Sequence, residues 1–133
     1  MIGIFNQSKI NLNLSNSSSW DLRYLLSSYG AIRDTINSQK NSEQMKARHF
    51  EINGCGAFQL SYYVEGLEHN YEIGKEIAIY TNPTELVEKV KYFLSNNEER
   101  ERVAEAGYQR TMKEHTFEKR FTHVFKIMKL TNE

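Results

Sequence analysis

The stretch Lys46-Ala47-Arg48-His49-Phe50-Glu51-Ile52-Asn53-Gly54-Cys55-Gly56-Ala57-Phe58 is the most informative in the chain. It predicts a short helix that opens with two cations, carries one carboxylate and ends in a double-glycine turn, because glycine enters the positive-φ conformations such turns require. Phe58 and Leu60, just beyond the glycines, then open a strand. A helix that feeds a strand in this way is half of a parallel strand-helix-strand unit.

Both flanks extend that reading. Upstream, Ile10, Leu12 and Leu14 alternate with Asn11 and Asn13, a period of two that predicts a first strand ending in the turn-forming tract Ser15 to Ser19. Between Trp20 and Ile36 the apolar residues fall close to helical spacing, but Ser27, Ser28 and Gly30 interrupt them, which predicts a broken helix followed by a loop from Asn37 to Gln44. Downstream, Ile77, Ile79 and Tyr80 follow Gly74 and predict a third strand. Asn82-Pro83-Thr84-Glu85 supplies an N-cap residue, a proline at the first helical position and a carboxylate at the third, so a helix starts there with Leu86, Val87, Val90, Phe93 and Leu94 as its buried face. Asn96 or Asn97 caps the next helix, whose run Glu98 to Glu105 with Arg100 and Arg102 reads as a solvated face. Thr116 caps a last helix with Phe117, Phe121, Val124, Phe125 and Met128 on one side. The fold class is therefore α/β: a partial Rossmann-like parallel sheet in three layers, followed by C-terminal helices. Residues 1–133 read as one domain, with strand-helix units at about 8–36, 46–66 and 76–95 and C-terminal helices over 97–131.

Composition narrows the function classes. The 17 Lys and Arg balance the 17 Asp and Glu, so no net field draws nucleic acid or anionic lipid from a distance, and no nucleic-acid partner is expected. No apolar run approaches the ~20 residues that span a bilayer, and Met1 to Phe5 gives way at once to Asn6, Gln7 and Ser8, which is no signal peptide; a cytoplasmic protein without a transmembrane segment is expected. One cysteine, Cys55, cannot staple the monomer, and four scattered histidines with it make no metal-ligand spacing. Cys55 reads as a packing residue, His115 as a helix-junction residue bonded to backbone, His49 as structural, and His69 and His123 as surface.

Chemistry concentrates in the opening stretch. Unpaired N–H groups at a helix start, with Lys46 and Arg48 beside them, suit a diphosphate, and a carboxylate one turn further in, Glu51, could accept hydrogen bonds from vicinal ribose hydroxyls. Tyr62, Tyr63, Tyr71 and Tyr80 read mainly as core-edge aromatics.

The order and spacing of Lys46-x-Arg48-x-Phe50-Glu51-Ile52-x-Gly54-Cys55-Gly56-x-Phe58-x-Leu60, Gly66-Leu67-Glu68, Gly74-Lys75-Glu76-Ile77, Arg100, Ala104-x-Ala106-Gly107-Tyr108 and His115-Thr116-Phe117-x-x-Arg120 resemble the C-terminal, donor-binding part of a bacterial family. That family is the spore-maturation-type glycosyltransferases (glycosyltransferase group 1), whose GT-B fold has two Rossmann-like halves. The resemblance reaches back to Ser8-Lys9-Ile10-Asn11-Leu12-Asn13 and leaves out about Trp20 to Asn41. It implies a nucleotide sugar as substrate, with Glu51 toward the ribose, Lys46 and Arg48 toward the pyrophosphate, and Gly54 and Gly56 completing the binding segment. It implies no separate cofactor and no metal. The acceptor half and the first donor strands of the family have no counterpart here, so the resemblance identifies no catalytic residue and implies little activity for the chain by itself. Glu43, eight residues before Glu51, has the spacing of paired glutamates in many retaining GT-B enzymes but not their surroundings. The alternative is a non-catalytic, self-associating module derived from such an enzyme. Homo-oligomerisation, or pairing with the missing half, is expected because the first strand offers an open edge, with Trp20 and Tyr24 as candidate anchors.

Overall fold

A computed structural model describes residues 2–14 and 45–128. The turn tract Ser15 to Ser19, the broken helix from Trp20 to Ile36 with its candidate anchors, the loop from Asn37 to Gln44 and Glu43 all lie outside the described residues. The chain opens with helix α1 (Ile2–Gln7) and strand β1 (Asn11–Asn13), then continues through α2 (Arg48–Gly54), β2 (Gln59–Tyr62), a 3-10 turn (Leu67–His69) and β3 (Ala78–Tyr80). Three helices follow: α3 (Pro83–Ser95), α4 (Asn97–Glu114) and α5 (Phe117–Ile127). The three strands form one parallel sheet in the order β1-β2-β3, as the alternation of strand and helix patterns predicts. Helix α1 is an addition to the sequence reading.

Strand periodicity sorts the sheet into two unlike faces. Leu12, Leu60 and Ala78 are register partners and share one face, and alongside them Tyr62 pairs with Tyr80. This face is apolar: Phe58, Leu60, Ala78 and Tyr80 pack with Phe93 of α3 and with Val103 and Ala104 of α4. The opposite face carries Asn11 beside Gln59, and Asn13 beside Ser61 beside Ile79. Helix α2 lies over that polar face, giving three layers.

The structure thus inverts the simplest reading of β1. The alternation does mark a strand, but Asn11 and Asn13 are the buried members, while Leu12 and Leu14 are 45% and 51% exposed. Helix α3 packs against β3, while at β1 the leucines stay about half exposed. The asparagines can be buried because their amides are bonded. Asn11 Nδ2 donates to the carbonyls of Phe5 and Phe58, both at 3.1 Å, and Asn13 Nδ2 donates to Gln59 Oε1 at 3.2 Å.

Helix α3 begins where its cap signal falls. Asn82 Oδ1 accepts the Glu85 N–H at 2.9 Å, with Pro83 in the first turn. Glu85 reaches back one residue beyond the cap, accepting from both the N–H and the hydroxyl of Thr81 at 2.7 Å, and it pairs with Lys89 at 2.9 Å. Lys89 and Thr81 together pull its carboxyl down to about 2. The buried face of α3 is narrower than the sequence suggests: Phe93 is buried and Leu86 and Val90 pack against the core, but Val87 and Leu94 are about half exposed.

Helix α4 departs furthest from the sequence reading. Arg100, expected on a solvated face, is only 5% exposed. Its Nη1 donates to the Phe93 carbonyl at 2.8 Å and its other nitrogen bonds Asn97, so the guanidinium satisfies an orphan carbonyl near the end of α3 and ties the two helices together. Arg102 does lie on the surface, paired with Glu99. Asn96, at the N-cap position, makes no capping bond and donates instead to the Tyr92 carbonyl.

At Gly107 helix α4 touches two elements at once. A Cβ there would stand 2.4 Å from the Glu76 carbonyl oxygen and 3.1 to 3.2 Å from the Asn53 amide. Only a missing side chain permits this approach. Gly107→Ala is expected to lower stability by about 2 to 3 kcal/mol or prevent folding, because the clash is with backbone that cannot rotate away. Gly3→Ala, where nothing lies within 4 Å, serves as the control and should stay within about 0.5 kcal/mol of the parent in urea unfolding. Equal midpoints for the two variants would contradict the packing described.

Candidate functional site

Helix α2 is two turns long, and its two sides do different work. On the outer side Arg48 and Glu51, one turn apart, are both exposed. They line an open groove of about 620 Å³ whose other wall is Phe5, Ser8, Ile10, Asn11 and Leu12. Lys46 is exposed two residues before the helix and is not part of that lining. Among the described residues, Lys46, Arg48 and Glu51 have no ion-pair partner. The wall opposite α2 lies before and at the amino end of β1, so this groove is not at the carboxyl ends of the strands, where ligands of open parallel sheets bind.

Gly54 and Gly56 lie at the other end of the helix. A Cβ on Gly54 would meet the Thr111 methyl at 3.6 Å, so this glycine serves the contact with α4. Gly56 has φ +71°, the left-handed turn that joins α2 to β2, and it borders a second, smaller groove formed with Asn6, Lys9 and Glu101. The structure therefore gathers Arg48 and Glu51, with Lys46 nearby, and separates them from the two glycines.

The inner side of α2 is held by hydrogen bonds. His49 and Asn53 are each 2% exposed. Gln59 Nε2 donates to the His49 carbonyl and to Asn53 Oδ1, both at 3.4 Å, while its Oε1 accepts from Asn13. His49 Nε2 lies 3.0 Å from Ser61 Oγ, and Nδ1 lies 3.2 Å from the Lys46 nitrogen and 3.0 Å from the Lys46 oxygen. Burial among these uncharged groups pushes the His49 imidazole below its ordinary value; the Lys46 carbonyl opposes that shift and the Lys46 charge adds to it. The structural role read from the sequence for His49 is what the geometry shows.

Beyond Asn53, Tyr71 bonds Thr111 at 2.7 Å, and Thr111 donates to the Gly107 carbonyl at 2.8 Å. Burial raises the Tyr71 phenol, an effect that Thr111 partly offsets. Phe50, Tyr71 and His115 form an aromatic cluster with ring centroids 5.1 to 5.8 Å apart, and His115 Nε2 lies 2.9 Å from the Asn70 oxygen. The Arg120 guanidinium caps the cluster, 4.1 Å from the Phe50 centroid. The sequence reading includes the His115-Thr116-Phe117-x-x-Arg120 segment but gives Arg120 no role. Its position beside the first turn of α2 depends on a contact across 70 residues of chain, which spacing cannot reveal. Among the described residues no group of three or more His, Cys, Asp or Glu could hold a metal ion, and no helix is long and apolar enough to cross a membrane.

The three-strand sheet is parallel and Rossmann-like, with a charged face of α2 exposed beside it. Residues 1–126 match the glycosyl transferase-like family, and the chain belongs to that family. Its function is accordingly glycosyltransferase-related. No curated protein and no solved structure gives a significant match.

The buried imidazole has a measurable consequence. In the unfolded chain His49 takes up a proton near about pH 6.5, whereas in the folded chain it does so only at lower pH, so the unfolded state binds more protons in the interval and stability falls as pH drops through it. The difference in urea-unfolding free energy between the parent and His49→Gln should shrink from about pH 7.5 to about pH 5.5. A difference that stays constant or grows would contradict a buried, neutral His49.

Proposed function

We propose that the chain is the nucleotide-sugar-binding part of a GT-B glycosyltransferase of the bacterial, spore-maturation type, moving a sugar from an activated donor to an acceptor hydroxyl. The observation that carries this reading is that Arg48 and Glu51, both exposed and unpaired among the described residues, line one groove on α2, within a chain of the glycosyl transferase-like family. In this reading Lys46 and Arg48 neutralise the diphosphate and Glu51 accepts the ribose hydroxyls, while Gly54 and Gly56 shape the segment behind them. Two turns of helix add a modest dipole, so most of the charge compensation falls to the two cations. Loss of the nucleoside diphosphate is the step such charges assist, since they stabilise the leaving group as its negative charge develops. Helix dipoles and cations suffice for that without a bound metal.

The binding segment occupies one side of a crevice, so the chain alone holds a nucleotide weakly and turns over little. A nucleoside diphosphate such as UDP should bind in the high-micromolar range or weaker, about −5 kcal/mol. Amide shifts should centre on Lys46 to Gly56, and Arg48→Ala should weaken binding about tenfold, the loss of one charge-assisted contact of about 1.4 kcal/mol. Shifts confined to residues remote from α2 would overturn the site.

A second reading, a self-associating module without turnover, draws on α5. Thr116 caps that helix as the sequence predicts, but its apolar face is unburied: Phe117, Phe121 and Phe125 stack in a row with centroids 6.4 and 6.1 Å apart and are 75%, 55% and 43% exposed. Sedimentation equilibrium at tens of micromolar should give a mass above 15.6 kDa that rises with concentration. A constant mass of one chain would remove the self-association reading and leave the first intact.

A further inference from the structure

Beneath the proposed nucleotide face sits a titratable group with no part in substrate contact. His49 is buried, yet both its ring nitrogens are engaged, and the partner of one of them is the backbone of Lys46. Two contacts favour one neutral form. The Ser61 hydroxyl lies 3.0 Å from both the Tyr62 carbonyl oxygen and His49 Nε2; donating to the carbonyl, it presents a lone pair to Nε2, which then carries the hydrogen. At the other side of the ring the Lys46 N–H points to Nδ1, which accepts it when unprotonated. Both contacts suit the Nε2–H tautomer; the other tautomer would have Ser61 donate to Nε2 and Nδ1–H donate to the Lys46 carbonyl.

The same Nδ1 is 3.0 Å from the Lys46 carbonyl oxygen, closer than the Lys46 nitrogen. A neutral Nδ1 presents a lone pair to that oxygen, an unfavourable contact, and accepts from the N–H. A proton taken from solvent reverses both relations: Nδ1–H donates to the Lys46 carbonyl and repels the Lys46 N–H. We propose that His49 is the positioning residue for Lys46, holding the segment that carries this cation in one setting when the imidazole is neutral and in another when Nδ1 is protonated. The inference rests on the reading of Lys46 as a diphosphate contact and adds a regulation of that contact by pH.

The surroundings leave Lys46 as the charge that bears on the ring. Arg48 and Glu51 of its own helix are exposed. From below, β1 and β2 offer Asn11, Asn13, Gln59 and Ser61, all uncharged, and α4 meets α2 further along, at Asn53 and Gly54, through Gly107 and Thr111. No carboxylate contributes to the electrostatics of His49 among the described residues. Its protonation therefore has one polar outlet, the Lys46 carbonyl, and the change is confined to the segment entering α2.

The test uses the whole chain labelled with ¹⁵N, without any nucleotide. The ring-nitrogen shifts of His49 should report the Nε2–H tautomer at about pH 7.5, and on acidification the Lys46 amide should move in step with the imidazole, below the ordinary value of about 6.5. A Nδ1–H tautomer, or a Lys46 amide that stays still while His49 titrates, would overturn the proposal. Ser61→Ala, which removes the group that fixes Nε2–H, should shift the tautomer and the Lys46 amide together, and movement of one without the other counts against the coupling. UDP is then titrated into the parent and His49→Gln at both ends of the pH range. The ratio of the two affinities cancels the ionisation of UDP itself and should change severalfold; an unchanged ratio refutes the regulation. If UDP does not bind at all, the proposed nucleotide site fails, while the tautomer and the Lys46 amide still decide whether His49 positions Lys46.

Discussion

Everything presented on the outer face of α2 depends on how the inner face is held. This helix is too short to be stable by its own hydrogen bonds. On one side it rests on the polar face of the sheet, where Gln59 bridges Asn13, Asn53 and the His49 carbonyl. On the other side α4 closes on it at Gly107, where a Cβ would stand 3.1 to 3.2 Å from the Asn53 amide. Hydrogen bonds fix direction in a way that apolar contacts do not, and a polar layer of this kind selects one register of helix over strand. One apolar cluster lies on the opposite face of the sheet, around Leu60, Phe93 and Val103, and a second, of Val64, Leu67, Tyr71 and Ile77, packs with Phe50 of α2 and with Ile79. Helix α2 is thus held by apolar contacts and hydrogen bonds together, and the hydrogen bonds set its register.

The hydrogen-bonded layer has a consequence for the site. The imidazole, the hydroxyl and the amides, apart from Asn53 Nδ2, which has no hydrogen-bond partner among the described residues, are bonded beneath α2, leaving Arg48, Glu51 and Lys46 as its outward chemistry. A set of two cations and a carboxylate suits a ligand with an anionic centre and neighbouring hydroxyls. Arg120 over Phe50 adds a third cation near the same turn, held by an aromatic ring and, among the described residues, not by a carboxylate.

The sequence was most legible where one local interaction decides the outcome. Asn82 and Glu85 mark the start of α3 because cap and carboxylate act within four residues, and Gly56 marks the turn into β2 because its φ demands glycine. The three strands follow from local periodicity, with α2 between β1 and β2 in the chain and only a 3-10 turn between β2 and β3. Burial was less legible. The β1 alternation identifies a strand but not which set of side chains faces inward, since that is decided by amide partners 46 and 47 residues away. Arg100 looks like any charged residue on a surface helix until the carbonyl it satisfies, Phe93, is brought beside it. For the site, Arg48 and Glu51 could be picked out by charge and spacing. The remoteness of Gly54 and Gly56 from them follows from the length of the helix, and the support from His49, Ser61 and Arg120 appears only with the tertiary contacts.

The central claim is that α2 is a rigid platform clamped by its polar underside and by α4, and native-state amide hydrogen exchange reads this directly. The amides of Ile52 and Asn53 should exchange only through global unfolding, with the same opening free energy and the same denaturant dependence as those of β2. Exchange of the α2 amides at markedly lower free energy than those of Leu60 and Ser61 would show that the helix opens on its own, and would contradict the account.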